Sequence, residues 1–345
     1  MVRVRFAPSP TGPLHLGGAL TAVANRRFAD ERGGALLLRI DDTDPARTVP
    51  GAEEEILAGL EWLGLRWDEG PIRQSERADR HREAARAIGE PDAEGALRFG
   101  RTTLVRADGL PTYHLASVVD DLDLGITHVV RGRDLLPSKR LQQALARALG
   151  AEPPEFVHHG LLVGEDGRKL SKRDRSASLR GLREQGIPAE AVRAYLEELG
   201  LPRGDVHLDA TRLRRLSLEA LGALPDDELA ARAGVEPRFA PALRGAHDLR
   251  EAASIAERLA AAPAPAPTSA PETVGRFREL REAVPGELGK EEAKEVLREL
   301  KGVGGDLRAL RLALTGAARG PELWTVLVAL PREEALRRAG AALRG

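Results

Sequence analysis

Two short segments carry the residue types that nucleotide chemistry requires. In the first, "RFAPSPTGPLHLGG" at 5–18, His15 stands just before Gly17 and Gly18 at the predicted start of a helix. The free N–H groups of a helix N-terminus favour an anion, and residues without a Cβ let a phosphate or a base approach the backbone. A tight turn with an exposed histidine has the same local pattern, so this segment alone leaves both interpretations open.

The second segment, "GRKLSKRD" at 167–174, places three basic side chains around Ser171 after a predicted strand. Lys169 and Lys172 stay charged at neutral pH and could neutralise the charge that develops in phosphoryl or nucleotidyl transfer. The sequence contains no GxxxxGK[ST] phosphate-binding loop. Most basic runs are only solvated surface, so this segment gains weight only in combination with the first.

Composition excludes several kinds of site. The 345 residues include no cysteine, so disulfides, thiolate nucleophiles, iron–sulfur clusters and cysteine-based zinc sites are excluded. The eight histidines form no HExxH-like cluster, and we therefore expect no protein-bound metal and no zinc. With a net charge of −1, any RNA binding would use local basic patches.

The chain has neither a secretory signal pattern nor an apolar run long enough to span a bilayer. We therefore expect a cytoplasmic protein without membrane association. We also expect a monomer.

The elements that would position these segments follow a β–α alternation. A period-two pattern at 2–7, a helical pattern at 18–32 and an apolar run at 35–41 predict a parallel β-loop-α-β unit. The pattern continues with a helix at 51–63, a strand at 127–131, a helix at 138–149, a strand at 156–163, and helices near 176–185 and 188–199. Residues 1–204 are thus predicted to form one α/β domain with a Rossmann-like, doubly wound parallel sheet.

Two regions depart from this alternation. Residues 71–105 predict a small insertion with a helix and a hairpin strand that turns at Asp108 and Gly109. Residues 205–345 predict an all-helical region, interrupted at 260–272 by a Pro/Ala-rich linker whose prolines cannot continue a helix.

Together, in this order, the two segments resemble the paired signatures of class I aminoacyl-tRNA synthetases, His-Ile-Gly-His and Lys-Met-Ser-Lys-Ser, written here "HLGG" and "KLSKR". The resemblance narrows to glutamyl-tRNA synthetases over nearly all of residues 1–200. It rests there on "RFAPSPTGPLHLGGALTA", "LLLRIDDTDPART", "RQSER", "DGLPTYHLASVVDD" and "THVVRGRDLLPS". It continues more faintly at 310–343, which is similar to the end of the bacterial family's anticodon-binding region.

The resemblance implies a ligase that activates L-glutamate with ATP and Mg²⁺ as glutamyl-adenylate and transfers it to the 3′ end of tRNA. It implies ATP binding by Pro10, His15, Gly17, Gly18, Lys169 and Lys172. It implies catalytic roles for His15, Lys169, Ser171 and Lys172. It implies glutamate binding by Arg5, Ala7, Ser9, Asp41, Tyr113 and Arg131.

Within this implied glutamate site, the side-chain carboxylate would meet Arg5 and Arg131, since a guanidinium can pair with a carboxylate through two hydrogen bonds. Tyr113 would add a hydroxyl contact, and Asp41 would hold the ammonium group.

The chain departs from this family in several places. Asp41 stands where bacterial members usually carry glutamate, and Arg133 adds a positive charge beside the predicted pocket. The insertion is far shorter than the family's connective domain, and the helical tail is shorter as well. Three alternatives stay open: a glutamyl-Q tRNA(Asp) synthetase-like enzyme acting on a modified anticodon base, a ligase that glutamylates a small molecule or carrier, and a non-catalytic binding or regulatory module.

Overall fold

The computed structural model describes residues 1–164, 166–168, 177–264 and 266–344. The chain divides into two compact units, Met1–Glu184 with Ala189–Leu213, and Gln185–Pro188 with Arg214–Gly345. None of the described helices is long and apolar enough to cross a membrane.

The first unit combines strands and helices. Its described strands are β1 (Arg3–Phe6), β2 (Ala35–Ile40), β3 (Glu69–Arg73), β4 (Glu90–Pro91), β5 (Leu97–Phe99), β6 (Thr102–Val105), β7 (His128–Gly132), β8 (Glu155–His159), β9 (Leu162–Val163) and β10 (Val206–His207). Its described helices are α1 (Leu16–Asp30), α2 (Ala52–Trp62), α3 (Ala78–Ile88), α4 (Tyr113–Asp123), α5 (Lys139–Ala148), α6 (Leu179–Glu184) and α7 (Ala189–Leu199).

Parallel strands form the centre of this unit. β2 pairs with β1 on one side and β3 on the other, and β7 pairs with β8, all in parallel. The amide of Thr127, just before β7, donates to the carbonyl of Arg3 in β1 at 2.9 Å, so β7 lies on the free side of β1. The order is therefore β3-β2-β1-β7-β8, as in a nucleotide-binding α/β fold.

The predicted β-loop-α-β unit forms as the residue pattern indicates. β2 is buried along nearly its whole length, as expected for a central parallel strand. His15 caps α1, because its side chain accepts a hydrogen bond from the amide of Gly18. α1 packs against β1, β2 and β7, which holds its N-terminus at the end of the sheet.

Several boundaries differ from the predicted ones. The strand predicted at 156–163 is two strands, because the chain breaks pairing at Gly160, whose amide donates to the carbonyl of Pro202 at 2.6 Å. The hairpin in the insertion turns at 100–101 between β5 and β6, and the turn near Gly109 is a separate, second turn. The short strand β10, at 206–207, lies inside the region predicted to be helical and pairs with β9.

All regular secondary structure described in the second unit is helical. α8 (Ala210–Ala223) begins in the first unit and ends in the second. The other helices are α9 (Asp226–Ala233), α10 (Ala240–Leu243), α11 (Leu249–Ala260), α12 (Pro271–Ala283), α13 (Lys290–Gly302), α14 (Leu307–Thr315), α15 (Leu323–Ala329) and α16 (Arg332–Arg344). A single cluster of buried apolar side chains, including Phe277 and Val326, connects them.

The predicted linker at 260–272 falls mainly between α11 and α12. Its last two residues, from Pro271, belong to α12, because proline fits the first turn of a helix. The predicted class, α/β with a parallel sheet followed by a helical region, is confirmed.

Candidate active site

A cavity of about 220 Å³ opens where β1, β2, β7 and β8 end. Ligands of open parallel sheets bind at this edge, because the loops that follow the strands meet there. The structure brings nine of the predicted site residues into its lining: Arg5, Ala7, Ser9, His15, Gly17, Gly18, Asp41, Tyr113 and Arg131.

Of the other four predicted residues, the structure describes Pro10 alone, and Pro10 does not line this cavity. Pro10 is buried, and its carbonyl accepts a hydrogen bond from the amide of Val49 at 2.9 Å. Lys169, Ser171 and Lys172 lie outside the described residues.

The start of α1 forms one wall of the cavity. The Nδ1 atom of His15 accepts a hydrogen bond from the amide of Gly18 at 3.1 Å, so a neutral ring carries its proton on Nε2. A Cβ on Gly17 would lie 3.1 Å from the His15 ring, and one on Gly18 would lie 2.6 Å from Leu14 Cδ1. The glycines thus let the histidine and Leu14 close over the helix N-terminus.

A chain of alternating charges lies behind the cavity. Arg5 Nε donates to Asp121 Oδ1 at 3.1 Å, and Arg39 Nη1 donates to the same oxygen at 2.7 Å. Arg39 also donates from Nε to Asp41 Oδ1 at 2.7 Å and from Nη2 to Asp41 Oδ2 at 3.3 Å. All four side chains are buried, and the two end members, Arg5 and Asp41, line the cavity.

The protonation of this chain follows from burial and pairing. Burial raises the pKa of Asp41, while Arg39 acts in the opposite direction. Burial alone would lower the pKa of Arg39, but Asp41 and Asp121 outweigh it and raise that pKa. Opposite charges in contact therefore keep the guanidinium of Arg39 charged inside the protein.

Arg131, at the end of β7, is held on several sides. It donates from Nη1 to Gln142 Oε1 at 2.7 Å, from Nη2 to the carbonyl of Leu135 at 3.0 Å, and from Nε to His158 Nε2 at 3.2 Å. Its guanidinium carbon lies 4.9 Å from the centre of the Phe156 ring, within the range of a cation–π contact.

The charge of Arg131 determines that of its neighbour. Burial, followed by the charge of Arg131, lowers the pKa of His158 to about 4. His158 is therefore neutral near pH 7, and its Nε2 is free of a proton and can accept from Arg131.

A second histidine lines the cavity itself. His159 Nδ1 lies 2.8 Å from the carbonyl of Gly160, and this contact requires a proton on Nδ1. Its Nε2 lies 3.2 Å from the hydroxyl oxygen of Thr21, which also lies 3.3 Å from the carbonyl oxygen of Gly17. Burial lowers the pKa of His159, which favours this neutral form.

Sequence reasoning missed the residues that hold the predicted ones in place: Arg39, Asp121, Gln142, His158 and His159. The signals were weak, because Arg39 stands inside an apolar strand and Asp121 follows a helical run whose partners are far away in the sequence. The extra charge of Arg133 is paired with Asp205, with 2.9 Å between Nη2 and Oδ2, and Arg133 does not line the cavity.

This arrangement presents two buried cations and one buried carboxylate to a small cavity beside a helix N-terminus. It suits an amino acid with an acidic side chain on one side and an anion near α1 on the other. The described residues contain no group of three His, Asp or Glu side chains placed to hold a metal ion.

Comparisons with known proteins identify relatives whose descriptions agree with one another. The family model for tRNA synthetases class I (E and Q), catalytic domain, matches residues 1–90 and 94–210. A glutamate–tRNA ligase of Rubrobacter xylanophilus is 39% identical over 420 residues, covering 98% of this chain and 96% of that protein. One from Koribacter versatilis is 32% identical over 464 residues, covering 98% and 97%.

A solved structure extends the likeness to the fold. A crystal structure of a glutamate tRNA ligase from Elizabethkingia meningosepticum, in complex with its amino acid, superposes with a TM-score of 0.81 at 25% identity, covering 99% of each chain. The resemblance seen in the sequence is thereby confirmed.

Proposed function

The chain belongs to the class I tRNA synthetases for glutamate and glutamine, and we propose that it activates L-glutamate with ATP and transfers it to the 3′ end of tRNA. The observation that carries this proposal is the presence of Arg5, Arg131 and Asp41 in one cavity. The relatives that match along nearly the whole chain carry the name glutamate–tRNA ligase, which favours tRNA over a small molecule or carrier as the acceptor.

We propose that the two arginines bind the side-chain carboxylate of glutamate. Arg5 uses only its Nε atom for Asp121, and in the described part of the chain its two terminal nitrogens have no hydrogen-bond partner. Arg131 donates three of its five N–H groups to Gln142, Leu135 and His158 and also interacts with the Tyr113 hydroxyl, so Arg131 and Tyr113 face the ligand together. Tyr113 adds its hydroxyl from the start of α4.

Asp41 supplies the negative charge that binds the ammonium group of glutamate. Both oxygens of Asp41 accept from Arg39, but each carboxylate oxygen has a second lone pair that can accept from the substrate. Ala7 and Ser9 line the same end of the cavity and shape the space for the amino acid.

ATP occupies the side of the cavity formed by the start of α1. His15, Gly17 and Gly18 bind the triphosphate and the nucleoside, and Pro10 shapes the loop before them. Mg²⁺ enters the site already bound to ATP. Lys169 and Lys172 bind the outer phosphates, and Ser171 supports them. The α-carboxylate of glutamate attacks the α-phosphorus, pyrophosphate leaves, and a ribose hydroxyl of tRNA then displaces AMP.

No covalent enzyme intermediate is needed, so the protein contributes positioning and charge stabilisation. We propose that residues 1–204 carry this chemistry, that residues 205–345, which are mostly helical where described, bind tRNA, and that the protein acts as a cytoplasmic monomer.

The test is transfer of labelled glutamate to bulk tRNA with ATP and Mg²⁺, run beside tRNA whose 3′ ribose has been oxidised by periodate. We expect acylation of intact tRNA and none of oxidised tRNA. Acylation that survives oxidation would identify a modified base as the acceptor. Glutamate-dependent ATP turnover without any acylation of RNA would identify a small molecule or carrier instead.

The lysine-rich segment is tested separately. Replacing Lys172 with alanine should reduce pyrophosphate exchange by on the order of 100-fold, because a charge that stabilises the transition state is lost. Thermal unfolding of the variant should match the wild type. Unchanged exchange would contradict the assignment of this segment to ATP.

A further inference from the structure

The two ends of the candidate amino-acid site share one support. Asp121, in α4, accepts hydrogen bonds from Arg5 and from Arg39 through a single oxygen, and Arg39 in turn holds Asp41 through both of its oxygens. Arg39 is fully buried, and Asp121 is 5% exposed. Neither lines the cavity, whereas Arg5 and Asp41 do.

We propose that Asp121 is the positioning residue of this site, and that it sets the separation between the cation and the carboxylate that receive the two ends of glutamate. This inference rests on the proposed function. It adds a residue that acts on the substrate only through Arg5 and, by way of Arg39, through Asp41.

The physical reason is the number of like charges in a small volume. Arg5 and Arg131 line the cavity and Arg39 lies behind it, and without a buried anion between Arg5 and Arg39 these two would repel each other. Asp121 cancels that repulsion and fixes the Nε edge of Arg5, so the terminal nitrogens of Arg5 remain for the ligand.

The neighbouring residue offers a matched control. Asp120 is also buried and also binds an arginine, with 2.7 Å between Arg77 Nε and Asp120 Oδ1, but its hydrogen-bond partners Gln74, Arg77 and His81 lie outside the cavity. Asp120→Asn therefore removes the same kind of charge from the same helix without removing a hydrogen bond to Arg5 or Arg39. The charge of Asp120 also acts on Arg39, so this variant shows what loss of a nearby charge does when both hydrogen bonds of Asp121 remain.

The test is pyrophosphate exchange with tRNA present, for wild type, Asp121→Asn, Asp121→Ala and Asp120→Asn, with glutamate and glutamine as substrates. In Asp121→Asn we expect the KM for glutamate to rise on the order of 10-fold, because the neutral side chain no longer holds the charged guanidinium of Arg5 in place. The KM for ATP should stay within about 2-fold. Asp121→Ala should show a larger increase, and Asp120→Asn little.

A second readout separates positioning from a general loss of structure. Because Arg5 faces the side-chain carboxylate, Asp121→Asn should lower the preference for glutamate over glutamine. In an Arg5→Ala background the same change should lower that preference no further, since coupled residues are not additive. Circular dichroism and thermal unfolding show whether each variant folds. If Asp121→Ala does not fold, Asp121→Asn alone tests the inference.

Each outcome has a distinct meaning. Equal kinetics for the Asp121 and Asp120 variants, or additive losses in the double variant, would overturn the inference while leaving the function intact. A wild-type protein that is inactive with glutamate would overturn the proposed function and this inference together.

Discussion

Arg131 is held by the protein before any ligand arrives. Its three hydrogen bonds and its contact with Phe156 come from three different segments of the first unit. Such a guanidinium would lose little conformational freedom on binding the proposed carboxylate, which favours a large contribution to affinity.

We therefore expect Arg131→Ala to raise the KM for glutamate by on the order of 100-fold, because the side-chain carboxylate loses a buried partner. The KM for ATP should change far less. Pyrophosphate exchange at varied glutamate and varied ATP measures both values. The control is Arg133→Ala, two residues along, whose side chain pairs with Asp205 away from the cavity. Equal increases for both substrates would exclude a role in the amino-acid pocket.

His158 links stability to pH. Its pKa falls from an ordinary 6.5 to about 4 in the folded protein, through burial and the charge of Arg131. Between these values the unfolded chain binds a proton that the folded protein does not bind. The free energy of unfolding therefore falls as the pH drops through this window.

Replacing His158 with glutamine keeps an acceptor for Arg131 and removes this titration. We expect the variant to lose less stability than wild type between about pH 6.5 and about pH 4. Part of the slope should persist, because burial also lowers the pKa of His114 and His159. Urea unfolding at several pH values measures this, beside His207→Gln, an exposed histidine. An identical slope for wild type and His158→Gln would contradict the assignment.

The residues facing the cavity could be found from the sequence, but those behind them could not. Arg5, Asp41, Tyr113 and Arg131 stand in segments that resemble a known family. Their supports depend on contacts between residues that are 82 and 116 positions apart, as for Asp121 with Arg39 and Arg5. No local pattern encodes such a pair.

At the scale of elements, local pattern succeeded where burial is continuous. β1, α1 and β2 follow their predicted positions closely. β3 is absent from the predicted elements, because "EGPIR" combines glycine, proline and charges, and it becomes a strand only by pairing with β2 at the sheet edge. α4 is absent as well.

The break after β8 depends on close contact between two backbones. A Cβ on Gly160 would lie 1.8 Å from the carbonyl oxygen of Gly204. Gly160→Ala should therefore destabilise the protein by about 1–3 kcal/mol or more, since the backbone must move apart. Thermal and urea unfolding measure the loss.

The control comes from the other side of the same contact. A Cβ on Gly204 would meet nothing within 4 Å, so Gly204→Ala should be nearly neutral. Comparable losses for the two variants would indicate that the contact does not limit this segment.

At the scale of the whole molecule, charge is balanced, with 52 Lys and Arg against 53 Asp and Glu. Binding of tRNA would then depend on local patches, which are exposed and screened by salt. The proposed amino-acid site depends on buried ion pairs, which salt screens much less.

We therefore expect the KM for tRNA to rise by on the order of 10-fold or more between about 50 and about 200 mM salt. The KM for glutamate should change much less over the same range. Aminoacylation at varied tRNA and varied glutamate measures both. Parallel changes would show that exposed charges also determine binding of the amino acid.

The consecutive carboxylates of α4 also bear on how this chain tolerates changes of length. Asp120 anchors Gln74, Arg77 and His81, which all precede the hairpin of β4, β5 and β6. The segment before the hairpin is therefore bound to α4 independently of the hairpin itself. The tip of the hairpin, at 100–101, could therefore be enlarged or carry a grafted module, whereas β6 must stay, because Leu104 and Val105 pack in one buried cluster with α4.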